Sequence, residues 1–149
     1  MTIKDFSGEY SFLSPTYHFP ATYCKLEYPT LGTAVIAAMT SSTAQRAKMR
    51  TMDAYDAYRL FNDAGTQAKF WKFNKRKIAT AIIRNHFIDE DKYLYDMLIQ
   101  STPKDTDFVY LNDECDNFLG ICTCEKCKSS NVVGLNILGS VLTDIRQNA

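Results

Sequence analysis

The spacing of apolar and polar residues predicts a chain that is extended at its start and helical through its middle. Three of the four prolines, Pro15, Pro20 and Pro29, fall within residues 1–30, among many aromatic residues. Proline interrupts helices and central strands, so short strands and turns are expected there. A continuous apolar run follows, and it predicts a buried helix over Thr33–Met39.

Polar capping residues placed just before apolar positions predict two more helices in the middle of the chain. Ser41–Thr43 would cap a helix that runs to about Arg50. Asp53 would cap a helix that ends near Gly65.

Two longer helical patterns follow. Asn74 opens a helix in which apolar residues recur every three to five positions. Asp89 caps another, with Glu90 and Asp91 in its first turn, where the helix dipole favours acidic side chains.

The last third of the chain mixes strand and helix patterns after Pro103. Asp107–Leu111 and Phe118–Cys122 are predicted strands, and the chain ends in an amphipathic helix with the apolar stripe Leu135, Leu138, Leu142 and Ile145. We therefore predict one mainly helical α+β domain over residues 1–149. Its small sheet would combine the N-terminal third with residues 107–123.

Composition and charge narrow the function classes. The 149 residues carry 17 Lys and Arg against 17 Asp and Glu, a zero balance that argues against a duplex-DNA binder or a polybasic membrane anchor. The N-terminus has no secretory pattern, and no apolar run is long enough to span a bilayer. We expect a reducing cytoplasm, where the five cysteines are free thiols or metal ligands.

Two stretches of the chain resemble a known family. The first is Phe6-Ser7-Gly8-Glu9-Tyr10-Ser11-Phe12-Leu13-Ser14, followed by Tyr28-Pro29-Thr30, and the second runs from Asn112 through Asp116-Asn117-Phe118-Leu119-Gly120 to Asn136-Ile137-Leu138-Gly139 and Arg146. Their order and spacing resemble the NADAR, or YbiA-like, superfamily over nearly the whole chain. The resemblance implies that superfamily's fold. It also implies N-glycosidase chemistry on ADP-ribosyl or ribose-phosphate bonds.

The chain departs from the family pattern where that chemistry would lie. The family's Glu, His, Gln and Lys positions correspond to Gly32, Thr33, Ile36 and Met39. Glycine offers no carboxylate to stabilise an oxocarbenium-like sugar or to activate water. We therefore predict a catalytically degenerate protein that binds a protein partner or a nucleotide-like ligand such as ADP-ribose. The retained positions that would line its pocket are Phe12, Ser14, Asn112, Asp116, Asn136 and Arg146.

An alternative keeps the protein an active N-glycosidase with a non-standard carboxylate. Asp116 and Glu9 are the candidates, because both lie in matched motifs. The structural interpretation of Asp116 is that it caps a turn before Phe118, as Asp often does. The small size and the divergence suggest a phage or mobile-element accessory protein.

Four cysteines, Cys115, Cys122, Cys124 and Cys127, lie within residues 115–127. Four thiolates can close a tetrahedral structural zinc site, and the C-x-x-C pair suits a zinc knuckle. The competing interpretation is a group of free thiols with Cys122 buried on its strand.

A segment rich in basic and aromatic residues, Lys69–Lys77, raises a second alternative, a small nucleic-acid-binding module. We favour the interpretation in which Phe70, Trp71 and Phe73 pack into the core while the lysines stay in water. Neither His18 nor His86 has the spacing of a metal ligand.

Overall fold

The computed structural model describes residues 1–90 and 92–149, so the predicted first-turn position of Asp91 lies outside the described residues. The fold is α+β and mainly helical, as predicted. Two compact units make up the chain: Met1–Leu13 with Tyr93–Ala149, and Ser14–Lys92. Among the described residues, no helix combines the length and the apolar character needed to cross a membrane.

The Ser14–Lys92 unit begins with a hairpin and a buried helix. Strand β2 (Ala21–Tyr23) pairs antiparallel with β3 (Leu26–Tyr28). The two connecting residues, Cys24 and Lys25, have positive φ angles of 49° and 66°, as in the hairpin turns whose twist matches that of the strands. Helix α1 (Leu31–Met39) follows and is buried from Leu31 to Ala38.

Three more helices of this unit are α2 (Thr43–Met49), α3 (Ala54–Ala64) and α4 (Lys69–Arg84). Ser42 accepts a hydrogen bond from the Gln45 amide and Asp53 accepts one from the Asp56 amide, so both caps lie within the predicted capping segments. These caps satisfy amides that have no partner inside the helix.

The prediction that Asn74 opens a helix is wrong. Helix α4 begins at Lys69, and Asn74 is a non-helical residue inside it, with φ −130° and its side-chain amide donating to the Phe70 carbonyl at 3.0 Å. Burial of Trp71, which is 2% exposed, favours the extra first turn even without a side-chain cap. Beyond α4 the chain continues into a π-helical turn, Asn85–Asp89, which contains the predicted cap Asp89.

The Met1–Leu13 and Tyr93–Ala149 unit has very short strands. β1 (Thr2–Ile3) pairs parallel with β4 (Asp107–Phe108), and β5 (Leu111–Asn112) pairs parallel with β6 (Ile121–Cys122). A 3₁₀ helix spans Gly8–Leu13. The α-helices are α5 (Lys92–Ser101), α6 (Glu125–Ser129) and α7 (Ile137–Gln147).

Within residues 1–90 and 92–149, three two-stranded sheets therefore replace the single predicted sheet, and β1–β4 joins the N-terminal third to the 107–123 region as predicted. The predicted strand over residues 107–111 is interrupted between β4 and β5, and only the end of the one over residues 118–122 is a strand. Among the strands that the structure describes, β2 and β3 pair with each other and with no other strand.

The final helix begins at Ile137 and not at Leu135 as its apolar stripe predicts. Asn136 has a positive φ of 50° and ends the preceding loop. The amides of Ile137 and Leu138 donate to the carbonyls of Phe118 and Leu119 at 3.2 and 2.9 Å. The turn over residues 118–120 thus supplies the acceptors that a capping side chain would otherwise supply.

His86 is fully buried in the Ser14–Lys92 unit. Its Nδ1 donates to the Pro20 carbonyl at 3.1 Å, and its ring meets the edges of Phe19 and Phe87. Its Nε2 is buried without a hydrogen-bond partner among the described residues. Burial in these surroundings lowers the pKa of His86 to about 4.

This buried imidazole predicts a loss of stability at mildly acidic pH. The unfolded chain takes up a proton at His86 near pH 6.5, whereas the folded protein does so only near pH 4. The free energy of unfolding should therefore fall by up to about 3 kcal/mol as the pH drops across this interval. His86→Gln should flatten this dependence in urea titrations, and His18→Gln, at an exposed position, should leave it unchanged. An unchanged slope in His86→Gln would contradict the assignment.

Candidate functional site

Four cysteine thiols converge in the Tyr93–Ala149 segment. The sulfur atoms of Cys115, Cys122, Cys124 and Cys127 all lie within 4.8 Å of one another, and those of Cys115 and Cys124 are 3.7 Å apart. Tetrahedral zinc with bonds of about 2.3 Å to sulfur needs sulfur atoms about 3.8 Å apart. The cluster therefore could hold a metal ion with only small movements.

Local backbone geometry brings the thiols together. Cys115 has a positive φ of 61° in the loop after β5, Cys122 ends β6, and Cys124 caps α6, whose first turn holds Cys127. The Cys122 sulfur accepts hydrogen bonds from the amides of Cys115 and Cys124 at 3.2 and 3.4 Å. These two bonds hold the Cys122 sulfur next to the backbone of Cys115 and Cys124.

Asn117, which is not among the site residues predicted from the sequence, supports the cluster. Its side-chain amide donates to the Cys127 sulfur at 3.3 Å, and its side-chain oxygen accepts from the Cys122 amide at 2.9 Å. A polar residue between the first two cysteines is the signal that could have indicated this role. Asn117 acts on the cluster through two of its cysteines, as outer residues of metal sites do.

Cys115, Cys124 and Cys127 differ in the pKa of their thiols because their sulfur atoms share one small space. The backbone amide of Cys127 and then the Cys122 side chain lower the pKa of Cys124 to about 7. Burial raises the pKa of Cys127 to about 12, and the hydrogen bond to Cys124 raises the pKa of Cys115. A bound cation would favour the thiolate form of its ligands, since its charge stabilises several neighbouring thiolates at once.

Asp116 and Asn112 form the turn between β5 and β6. One carboxylate oxygen of Asp116 accepts from the amides of Phe118 and Leu119 at 3.1 and 2.8 Å. Asn112 accepts from the amides of Glu114 and Asp116, both at 3.1 Å, and donates to the Asp116 carbonyl at 2.9 Å. Burial raises the pKa of Asp116, although the backbone amides act in the opposite direction.

Asn136 connects the end of β4 to the start of α7. Its side-chain oxygen accepts from the Tyr110 amide at 2.9 Å, and its side-chain nitrogen donates to the Phe108 carbonyl at 3.1 Å. A Cβ atom at Gly139 would lie 2.3 Å from both the Asn136 side-chain oxygen and the Phe108 carbonyl oxygen, so this contact requires glycine.

Arg146 is 8% exposed and binds the end of α5. Its guanidinium donates to the Thr102 carbonyl at 3.0 and 2.8 Å and to the Thr102 hydroxyl at 3.1 Å. It also lines an open cleft of about 190 Å³ with Tyr95, Asp96, Ile99, Gln100 and Ala149. The cleft is smaller than the roughly 300–1,000 Å³ typical of small-molecule sites.

The three predicted site residues near the N-terminus have different surroundings. Glu9 is exposed in the first turn of the 3₁₀ helix, whereas Phe12 is buried with 1% of its surface exposed. Ser14 is half-buried, and its hydroxyl lies 2.9 Å from the Thr16 hydroxyl and accepts from the Thr16 amide.

Close packing surrounds the position that corresponds to the family's Glu. Gly32 is buried, and a Cβ atom there would lie 2.8 Å from the Ala54 Cβ and 3.0 Å from the Pro15 carbonyl oxygen. The Gly32 amide already donates to that same carbonyl at 2.8 Å. A carboxylate side chain at this position would require the start of α3 or the Pro15 backbone to move.

The other α1 positions that differ from the family pattern also make packing contacts or hydrogen bonds within the unit. Thr33 donates its hydroxyl proton to the Met52 carbonyl at 3.0 Å and lies 2.8 Å from the Thr30 hydroxyl. Ile36 is buried and Met39 is half-buried. In the Ser14–Lys92 unit, this side of α1 therefore presents closed hydrogen bonds and apolar side chains.

The interpretation of Lys69–Lys77 as a core-packing segment is correct for Trp71 only. Phe70 and Phe73 are 66% and 79% exposed. The helix has one buried side, which Trp71 occupies, and the two phenylalanines lie on its solvent-exposed side.

This architecture is similar to that of a solved structure. The solution structure of the E. coli protein YbiA matches 99% of this chain and 83% of its own chain, with a TM-score of 0.74 and 19% sequence identity. The fold is that of YbiA. No protein-family model matches the chain, and no curated protein is similar to it in sequence. At 19% identity, the likeness to YbiA concerns the fold alone.

Substitution of Asn136 tests whether its side-chain hydrogen bonds to the backbone stabilise the fold. Asn136→Ala should lower the free energy of unfolding by about 2–4 kcal/mol, since it loses two hydrogen bonds to buried backbone and places alanine at positive φ. Asn136→Gly removes the bonds but tolerates the backbone angle, so it should cost about 1 kcal/mol less. Urea unfolding of both variants measures these differences. Wild-type stability in Asn136→Ala would contradict this structural role.

Proposed function

We propose that this protein is a YbiA-fold binding protein without N-glycosidase activity. The observation that carries the proposal is the packing at Gly32, where a Cβ atom would approach Ala54 and Pro15 to 2.8 and 3.0 Å. The position has neither a carboxylate nor the space for one. The chemistry of N-glycoside cleavage, which passes through an oxocarbenium-like sugar, depends on such a group.

The retained polar residues support the same proposal. Asn112, Asp116 and Asn136 direct their side chains to backbone amides and carbonyls, and Arg146 directs its guanidinium to Thr102. These contacts stabilise the fold whether or not a substrate is bound. An accessory protein that binds a protein partner or a nucleotide-like ligand needs this scaffold but not the catalytic groups.

The alternative function, an N-glycosidase that uses Asp116, is favoured by one observation. Burial raises the pKa of this carboxyl group, as it does in many general acids. Against it, one oxygen of the carboxylate already accepts two backbone hydrogen bonds. An activity assay separates the two functions.

We expect no release of ADP-ribose from ADP-ribosylated guanine and no release of ribose phosphate from riboflavin-pathway intermediates. Chromatography of the products would measure both, with an active family member as positive control. Gly32→Glu should not restore activity, and it should lower the free energy of unfolding by about 1–3 kcal/mol because of overpacking.

Turnover by the wild-type protein would overturn the proposal if Asp116→Asn abolished it. The amide oxygen of the variant can still accept from Phe118 and Leu119, so the turn is preserved while the acid is lost. Glu9→Gln is the matched control at an exposed carboxylate. Turnover lost only in Glu9→Gln would assign the reaction to that residue instead.

We further propose that the cysteine cluster binds one structural zinc ion in a cytoplasmic, reducing compartment. The sulfur spacing, the cap at Cys124 and the contacts of Asn117 support it. Four thiolates leave no open coordination position for a water molecule, so the ion would pin the loop between β6 and α7 and take no part in catalysis.

Protein purified without added metal should contain about one zinc per chain by elemental analysis. Cys124→Ser should lose most of that zinc and lower Tm by at least about 5 °C, because metal binding contributes to the free energy of folding. Cys24→Ser, at an exposed cysteine in the other unit, should change neither quantity. A metal-free wild-type protein after gentle purification would reject the site.

A further inference from the structure

One side of α4 combines exposed aromatic rings with basic side chains. We call the residues Lys69, Phe70, Lys72, Phe73, Arg76 and Lys77 the α4 face, and all six are exposed. Phe70 and Phe73 are among the most exposed large apolar side chains of the described residues, at 66% and 79%. Exposed rings of this size, placed in adjacent turns, are not explained by the packing of the unit.

Helical spacing places the two rings next to each other. Residues three apart on a helix are neighbours, with about 5–6 Å between their Cβ atoms, so Phe70 and Phe73 form one short aromatic row. Both rings precede Asn74, whose side-chain amide donates a hydrogen bond to the Phe70 carbonyl. Helix α4 has buried residues on both sides of Asn74, namely Trp71 before it and Ile78 and Ile82 after it. Both parts of the helix therefore have a side that packs into the unit and a side that faces solvent.

The charged residues of α4 all carry positive charge. The helix Lys69–Arg84 contains six basic residues and no acidic residue. The whole chain is neutral, so this is a local concentration of positive charge. Within residues 1–90 and 92–149, no ion pair is formed by Lys69, Lys72, Arg76 or Lys77.

We propose that the α4 face binds single-stranded nucleic acid without strong sequence preference. Phe70 and Phe73 would stack on two successive bases, and the surrounding cations would contact the phosphates. Recognition of this kind needs only a π surface and a track of positive charge. It does not depend on the absence of glycosidase activity or on the metal, so this proposal and the proposed function can fail separately.

The distribution of apolar residues favours nucleic acid over a membrane surface. A helix that lies in a lipid interface presents a continuous apolar stripe to the acyl chains. In α4 that stripe faces the protein core, and the exposed side offers two rings among charged groups. Two isolated rings provide stacking platforms for bases but little area for insertion into lipid.

The test uses the whole protein and a fluorescein-labelled dT12 oligonucleotide, with binding measured by fluorescence anisotropy over a range of salt concentrations. We expect saturable binding that weakens with salt, with a log–log slope of about −0.7 for each phosphate contacted. Phe70→Ala with Phe73→Ala should weaken binding by at least about tenfold and leave the salt slope unchanged. Phe70→Tyr with Phe73→Tyr should restore it, because tyrosine also stacks.

The basic residues should affect the salt dependence of binding. Lys72→Gln with Arg76→Gln should reduce the magnitude of the salt slope by about 1.4. Lys4→Gln with Lys104→Gln removes the same charge from exposed positions of the other unit, and it should leave the slope unchanged. Circular dichroism and the emission of Trp71, the one tryptophan of the chain, check that each variant is folded.

Several outcomes would overturn the proposal. The absence of binding to dT12 at low salt by the folded wild-type protein is one of them. Binding that the alanine pair leaves unchanged, or an equal loss of slope in the control pair, would exclude the α4 face as the site. Binding to vesicles that contain phosphatidylserine, without binding to dT12, would assign the face to a membrane surface.

Discussion

Very short strands place an unusual demand on hydrogen bonding in the Met1–Leu13 and Tyr93–Ala149 unit. Pairs of strands that are two residues long satisfy few backbone groups, yet buried amides and carbonyls need partners. Asn136 supplies two of these partners between Phe108 and Tyr110, and Asp116 supplies an acceptor for two amides before β6. The start of α7 in turn depends on the carbonyls of that same turn. The positions of β4, β6 and α7 thus follow from a few side-chain contacts.

Because of this dependence, the motif residues have structural roles that do not require catalysis. Asn112, Asp116, Gly120 and Asn136 lie in the stretches that resemble the NADAR pattern, and each has a structural role in this fold. A Cβ atom at Gly120, for example, would lie 2.1 Å from the Tyr110 carbonyl oxygen. In α1, by contrast, the positions that differ from the family pattern serve close packing and closed hydrogen bonds. The residues that maintain a fold therefore need not be those that carry out its chemistry, as is common in widely used folds.

Two features fall outside the scaffold, and they differ in physical character. The cysteine cluster is compact, and amide-to-sulfur bonds and Asn117 orient its members. The α4 face is spread along a helix, is open to solvent, and has charge of one sign. The first suits a small ion that needs fixed geometry, and the second suits an extended, flexible and negatively charged ligand.

Features that arise from neighbouring residues could be predicted from the sequence. The buried helix α1, the cap at Asp53 and the nearness of the four cysteines all depend on local spacing, so they were predictable. Other features could not be predicted in this way. They are the start of α7 at Ile137, the helical position of Asn74, and the exposure of Phe70 and Phe73. They depend on partners far along the chain or on which side of α4 the core covers, so they arise only when the chain has folded. The crowding around Gly32 belongs to the same class, since Pro15 and Ala54 meet it only after the chain has folded.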